Sequence, residues 1–436
     1  MDTKFSINPI EDEVDAQDLR ERTILIGLDS SLTNGWDIDE TMEELANLVD
    51  TAGGIVVSQI IQKRQKPDPA YFIGKGKAEE VEMMRKATDS VLVVFNDELS
   101  PAQVRNLESV IECKVIDRTQ LILDIFAQRA ESAEGKLQVE LALMQYLLPR
   151  LSGRGAEMSR LGGGGGIGTR RGPGETKLEV DRRVIKNQIN VIKEQLEEVK
   201  KRREVQRSKR QDSNVPVISL VGYTNAGKSS LLKVLTGADV FVEDKLFATL
   251  DPITRRMELE NNQEVLFTDT VGFIQKLPHQ VVAAFRATLE EVIESDVLLH
   301  VVDASHPKAE EHCTAVYEVL KELGANNKEI ITVFNKIDKE GAVAMATRLS
   351  NIYPVNASIS TVTGEGMDKL LLLVQEVLSQ RRKVIEGLFA YGDPLISAIH
   401  DNGRVISQSY VENGVIIRAE VDNALAGKIR KIHGDV

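Results

Sequence analysis

The chain has 436 residues, 42% of them hydrophobic, with 54 Lys and Arg against 67 Asp and Glu and a formal charge of −13. That length predicts two to four domains with substantial cores. No apolar run approaches the roughly 18 residues of a membrane-spanning helix. The start MDTKFSINPIEDEVDAQD is polar and acidic rather than a secretory leader, so residues 1–21 read as a flexible acidic tail of a cytoplasmic protein. Cys113 and Cys313 each sit in an apolar element and read as buried free thiols. His300, His306 and His312 are the nearest histidine set, without the Cys or HExxH partners of a zinc site.

Residues 22–132 alternate strand and helix signals. Strands are expected at 23–27, 54–60, 91–95 and 114–116, and helices at 38–49, 77–87 and 101–112, the last capped by Ser100. That alternation predicts a parallel α/β domain. The stretch Gly74-Lys75-Gly76-Lys77 lacks the Ser or Thr of a phosphate loop and reads as a loop before a helix, with nucleic-acid or nucleotide contact as the alternative.

A helical hairpin is expected over 133–212. Leu137, Leu141, Met144, Leu148 and Leu151 step by four and three, as do Ile185, Ile189, Ile192, Leu196 and Val199. Such stripes suit a coiled-coil seam, and because they flank one loop they can bury each other. A self-associating coiled coil is the alternative. The loop holds eight glycines within residues 162–174, together with Arg170 and Arg171, and follows Arg154 and Arg160. Residues 151–210 carry 16 Lys and Arg against 8 Asp and Glu, so this segment is +8 while the remainder is −21. Glycines cannot pack a core, whereas arginines stack on bases and fork onto phosphates. The loop therefore reads as an RNA-contacting tip, with Lys200, Lys201, Arg202 and Arg203 as a second basic cluster on the hairpin; a passive linker and a solvated helix end are the alternatives.

Residues 213–385 carry the chemistry. Residues 222–230 (Gly222, Tyr223, Thr224, Asn225, Ala226, Gly227, Lys228, Ser229, Ser230) fit G-x-x-x-x-G-K-[ST] between an apolar strand at 215–221 and a helix at 228–235. Backbone amides and the helix N-terminus would cradle phosphates, Lys228 would reach the β and γ groups, and Ser229 would ligate Mg²⁺. Asp269 and Gly272 form a D-x-x-G at a strand end, for Mg²⁺ and the γ-phosphate. Asn335, Lys336 and Asp338 form N-K-x-D. Asp338 can accept two hydrogens from guanine, where adenine offers no such pair. Ser360 and Thr361 follow a short strand at 353–356, where a backbone amide would meet guanine O6; Thr361 departs from the usual Ser-Ala. Between the first two motifs, Leu246-Phe247-Ala248-Thr249-Leu250-Asp251-Pro252 supplies a threonine to close over Mg²⁺ and the γ-phosphate. Thr249 is the chosen residue, with Phe247 and Ala248 beside the nucleotide, and Thr254 is the competitor. Phe273 stands where many such enzymes place a water-orienting Gln, which implies slow intrinsic hydrolysis. Lys228, Asn225, Thr249 and Gly272 are the expected catalytic set, and Ser229, Thr249 and Asp269 the metal set.

Residues 386–436 are expected to fold as a small α+β module. Asn402-Gly403 and Asn413-Gly414 suggest tight hairpins joining strands at 395–399, 404–410 and 415–421, before a helix at 424–432.

With these residues in place, the chain resembles the HflX family of GTPases. The resemblance rests on GGGIGTRRGPGETKLEVDRR (164–183), LFATLDP (246–252), DTVGFIQKLPH (269–279) and YFIGKGKAEE (71–80), and spans residues 22–436. It implies an N-terminal α/β domain with a helical hairpin, a central P-loop GTPase domain and a small α+β C-terminal domain. It implies GTP and GDP as ligands, binding to the large ribosomal subunit and its rRNA, and splitting of stalled or idle ribosomes under stress; a monomer is expected from hairpin stripes that bury each other. Peripheral membrane association comes with the family, although no residue here requires it. Asn225 resembles the asparagine that holds K⁺ in potassium-stimulated GTPases. A GTPase chaperone of subunit assembly shares every motif, and a nucleotide-gated scaffold without RNA contact is the third reading.

Overall fold

The computed structural model describes residues 20–30, 37–150, 177–213, 215–237, 243, 245–275, 289–379, 383–421 and 423–433. Most of the acidic tail lies outside the described residues, as do the glycine-rich loop with Arg154, Arg160, Arg170 and Arg171. Two compact units are separable, Met1–Ile125 and Phe126–Val436. Among the described residues, no helix is long and apolar enough to cross a membrane.

The first unit alternates β1 (Arg22–Asp29), α1 (Ile38–Thr51), β2 (Ile55–Lys63), α2 (Lys75–Thr88), β3 (Leu92–Phe95), α3 (Pro101–Ile111) and β4 (Lys114–Asp117). Its strands pair in parallel in the order β2-β1-β3-β4. Ile24, Ile26, Val93 and Phe95 are fully buried against Leu107 and Ile111 of α3. Ser100 caps α3 through a reciprocal box with Gln103, and Pro101 opens the helix without wasting an N–H donor. The stretch 74–77 departs from expectation. Gly74 is the N-cap of α2 and Lys75 begins it, so the Gly-Lys pairs are the first turn of a helix rather than a loop.

The second unit starts in the last turn of α4 (Arg118–Arg129). It continues through α5 (Ala133–Arg150) and the 37-residue α6 (Lys177–Ser213). Leu141 packs on Ile189 and Ile192, flanked by Leu137, Met144, Leu148, Ile185 and Leu196. The two stripes thus bury each other within one chain.

A six-stranded sheet follows, in the order β10-β9-β8-β5-β7-β6. Its strands are β5 (Val217–Gly222), β6 (Ile253–Glu258), β7 (Glu264–Asp269), β8 (Val297–Asp303), β9 (Glu329–Asn335) and β10 (Asn356–Ser358). Only β6 runs antiparallel. Ile218, Leu220, Phe267, Leu299, Val301, Ile331 and Val333 are fully buried. Such continuous apolar strands belong to a sheet covered on both faces, here by α7 (Lys228–Thr236), α8 (Glu290–Glu294), α9 (Ala309–Glu322), α10 (Ala342–Ser350) and α11 (Met367–Ser379). Strand β10 begins three residues later than the sequence suggested, and Tyr353 precedes it with its ring stacked on Tyr317. The C-terminal ends of β5, β7 and β9 and the loop after β10 meet at one edge, the crevice where open α/β sheets take ligands.

The C-terminal sheet has the order β11-β13-β12, from β11 (Lys383–Phe389), β12 (Arg404–Val411) and β13 (Gly414–Val421). Two expectations are corrected. Residues 395–399 lie in a helix, α12 (Pro394–Asn402), not a strand. The Asp393 side chain caps it by accepting from Leu395 N, and Pro394 occupies its first turn. Asn402-Gly403 is accordingly a helix end, and the strand missing from the meander is β11. Asn413-Gly414 does turn a hairpin, with Val411 paired to Gly414. Helix α13 (Asn423–His433) closes the core on Ile385, Phe389 and Ile417.

Candidate functional site

Strand β5 ends in a loop that only particular residues can form. Gly222 has φ +153°, and a Cβ there would run into the Val301 carbonyl. Gly227, at φ +94°, caps α7, and a Cβ would overlap the Asn335 amide. The curl between them directs backbone donors and the N-terminus of α7 into a cleft of 290 Å³. Thr224, Asn225, Gly227, Lys228, Ser229 and Ser230 form one wall; Phe247, Ala248 and Thr249 form the second. Gly272 lies beside the Lys228 ammonium, and Lys336, Asp338 and Thr361 close the far end. Gly222, Tyr223, Ala226, Asp269, Asn335 and Ser360 stand behind this lining rather than in it. Glu243, Lys245, Lys339 and Val362 line the cleft without belonging to any motif.

Lys228 is buried, and its Nζ donates to the carbonyls of Gly222 (3.2 Å) and Tyr223 (2.9 Å). Burial pushes its pKa down to about 8, with the Asp269 carboxylate opposing the fall. Asp269 is fully buried as well, and burial raises its pKa against the pull of Lys228, Ser229 and Thr249. Three oxygens converge beside it. Ser229 Oγ donates to Asp269 Oδ2 at 2.6 Å, Thr249 Oγ1 donates to the same oxygen at 3.1 Å, and the two hydroxyls are 2.9 Å apart. Asp269 Oδ1 is buried with no hydrogen-bond partner. This is a hard-oxygen donor set with an orphaned carboxylate oxygen, and it fits Mg²⁺. Thr254 is elsewhere, its hydroxyl 3.0 Å from that of Thr268 between β6 and β7.

The D-x-x-G strand end is zipped to the phosphate loop by backbone bonds, which no motif announces. Phe273 N donates to Gly222 O (3.0 Å), and Thr224 N donates to Phe273 O (2.7 Å). The Phe273 ring points into the core with Val221, Leu289 and Val292. Tyr223 is held away from the cleft by two contacts. Its Oη accepts from Gln275 N at 2.9 Å, and its ring stacks flat on His312 at 3.8 Å. Burial lowers His312 and His300 to about 3, so both rings are neutral.

At the far end, Asn335 braces two loops. Its Nδ2 donates to Ala226 O (3.0 Å), and its Oδ1 accepts from Thr361 N (3.2 Å). Lys336 donates to Asn225 O (2.9 Å) and pairs with Asp303 (2.7 Å), a partner with no sequence signal. Exposed Asp338 presents its carboxylate to the cleft, with Ser360 Oγ donating to Oδ1 at 2.5 Å.

Three family models match the chain in succession: GTP-binding GTPase N-terminal over residues 39–127, GTP-binding GTPase middle region over 129–210, and 50S ribosome-binding GTPase over 217–336. The GTPase HflX of Lacrimispora saccharolytica is 46% identical over 413 residues, covering 94% of this chain and 96% of that protein. The chain belongs to the HflX family of GTPases. The GTPase HflX of Caldanaerobacter subterraneus subsp. tengcongensis is 47% identical, covering 94% and 93% of the two chains. Among solved structures, a GTP-binding protein from Sulfolobus solfataricus in complex with GDP is 26% identical, covers 83% of this chain and 99% of that one, and gives a TM-score of 0.43.

In this HflX-family chain the second basic cluster is not uniformly free. Arg203 is half-buried, with its guanidinium 2.7 Å from Glu134 on α5 and 3.9 Å from Glu291 on α8. Lys200 approaches Glu290 at 3.7 Å, and Arg202 lies 4.0 Å from Glu198 on its own helix. Lys201 is exposed. The four cations thus differ in their surroundings, with Arg203 held by a carboxylate pair and Lys201 exposed.

The low pKa of Lys228 yields a testable outcome. Below about 8 the ammonium is already charged; above it, a bound triphosphate raises the pKa and the site takes up a proton. Calorimetry of GTP binding at pH 8.5, in buffers of differing ionisation enthalpy, should show that uptake. At pH 6.5 Lys228 is already charged and contributes nothing to the uptake, leaving only the ionisation of the nucleotide's own terminal phosphate.

Proposed function

We propose that this GTPase couples its nucleotide state to binding of the large ribosomal subunit, and that in this way it splits stalled or idle ribosomes under stress. The observation carrying the switch is the meeting of Ser229, Thr249 and Asp269 oxygens at one point. These three residues would hold Mg²⁺. When bound, the ion neutralises charge developing on the β- and γ-phosphates. Lys228 gives up its two loop carbonyls to reach the phosphates, and the loop amides with the α7 terminus bind the remaining oxygens. The Thr249 segment closes only while a γ-phosphate is present and is released after hydrolysis. Loss of that contact changes the affinity for the partner.

At the base end, Asp338 exchanges the Ser360 hydroxyl for the paired donors of guanine, while Asn335 keeps the two loops in register. Asp338→Asn turns one acceptor into a donor facing guanine. GTP affinity should fall by about 1–3 kcal/mol, and xanthosine triphosphate should gain. A titration showing unchanged GTP affinity would contradict the base-reading role.

The hydrolysis step lacks a polar side chain at position 273, since Phe273 is committed to the core. Nothing there orients the attacking water, so intrinsic turnover is slow and the ribosome completes the site. A K⁺ ion beside Asn225 would add positive charge to the transition state. Single-turnover hydrolysis should then be faster in KCl than in NaCl, and equal rates would remove the ion from the mechanism.

The ribosomal partner is supported by the match of residues 217–336 to a 50S ribosome-binding family and by the cationic segment 151–210 in an otherwise acidic chain. The prediction is that purified large subunits pellet the protein with a non-hydrolysable GTP analogue more than with GDP. Replacing Arg170 and Arg171 by Glu should abolish that co-sedimentation. Full retention would point to a scaffold that does not use RNA, and accumulation of immature subunits in a deletion strain to an assembly role.

A further inference from the structure

Glu243 and residues 245–251, around Thr249, meet the last turn of α4 and the connector to α5 at three points. The Phe247 ring meets Phe126 edge-on at 4.7 Å. Arg129 pairs with Glu243 at 2.7 Å, and Glu243 lines the nucleotide cleft. Asp251 then closes the segment onto the root of the hairpin. Its Oδ2 accepts from Glu131 N (2.9 Å) and Ser132 N (2.7 Å), and its Oδ1 accepts from the Ser132 hydroxyl. Ser132 Oγ in turn accepts from Gly135 N at 2.9 Å, capping α5. Residue 135 is buried, and a Cβ there would overlap the Asp251 carboxylate, so any other residue requires that carboxylate to shift. Glycine in the first turn of an 18-residue helix is otherwise a poor choice, so the helix gives up intrinsic stability to seat this carboxylate.

We infer that Asp251 is the positioning residue that transmits the nucleotide state of the Thr249 segment to the base of the helical hairpin. Thr249 and Asp251 are two residues apart. With Thr249 drawn to the metal position, the Asp251 carboxylate reaches the connector amides. When Thr249 is released, the chain on its C-terminal side is released with it, and three hydrogen bonds at the root of α5 are exchanged for water. The Arg203 pairs with Glu134 and Glu291 fasten the other hairpin helix nearby, so a change at the start of α5 acts on both arms. This inference rests on the assignment of Thr249 as the γ-phosphate sensor.

Hydrogen exchange on the full chain tests both separately, with Mg²⁺ and either GDP or a non-hydrolysable GTP analogue. In the wild type, residues 245–250 should be protected by the analogue, and the amides of Glu131 and Ser132 should exchange roughly 10-fold more slowly than with GDP. Asp251→Ala should erase the nucleotide dependence at 131–132 and leave that at 245–250. Gly135→Ala should do the same, and because alanine strengthens a helix, a loss there cannot be ascribed to melting of α5. Pelleting with large subunits should lose its preference for the analogue in both variants. Nucleotide-dependent protection at 131–132 that survives Asp251→Ala overturns the inference while leaving the Thr249 assignment standing. A wild-type 245–250 segment that ignores the γ-phosphate overturns both.

Discussion

The nucleotide edge of the six-stranded sheet is organised around two buried opposite charges, the Lys228 ammonium and the Asp269 carboxylate. Each is penalised by burial and sustained by the other. A lone buried charge is far more costly than one with hydrogen bonds and an opposite charge in the same interior, so the elements that deliver them cannot move independently. Lys228 must begin α7, Asp269 must end β7, and the sheet must hold β5 and β7 as neighbours. The Leu220–Asp269 register pair and the backbone bonds between Phe273 and the phosphate loop meet that requirement. The same burial leaves a deficit: Asp269 keeps one oxygen without a partner, and Lys228 satisfies itself on two loop carbonyls. Both are arrangements that a divalent cation and a phosphate can improve, which ties the stability of this edge to its ligand.

A second consequence concerns reach. The residues nearest the nucleotide are short, and the contacts that carry its state outward are made by the neighbours of those residues. Thr249 faces Ser229 and Asp269, whereas Phe247, Glu243 and Asp251 face the connector. Tyr223 lies within the phosphate loop yet packs on His312 and Gln275, so that side of the loop is a support rather than a contact. These loops thus serve two surfaces, because their backbones turn rather than run extended, with Asn225 at φ +59° and Phe247 at φ +54°.

Much of the fold was legible because it is periodic or locally signalled. The alternation over 22–132 produced the parallel sheet, the four-three stripes produced a seam between α5 and α6, and Ser100 with Gln103 marked a helix start that is present. The C-terminal module shows the limit. Residues 395–399 are a short apolar run of a kind that serves strand or helix equally. The deciding signal was Asp393-Pro394, a cap followed by a first-turn proline, and it was outweighed by the neighbouring Asn-Gly pair. At the cleft, motif positions from four separated stretches are brought together, and Asp269, Asn335 and Ser360 prove to stand behind the lining.

The sequence alone determined which chemistry the edge of the central sheet can perform, because phosphate and guanine recognition demand glycine, lysine, hydroxyl and carboxylate groups at spacings set by a strand–loop–helix turn. It also determined the family. Only the tertiary structure decided which charges are free and which are spent. Arg203 looked like its basic neighbours until Glu134 and Glu291 were placed beside it, and Asp251 looked like an ordinary loop residue until the root of a helix 119 residues away in the chain supplied its donors. Long-range pairs of this kind leave no local pattern, since each partner's role depends on a neighbour that the fold alone supplies.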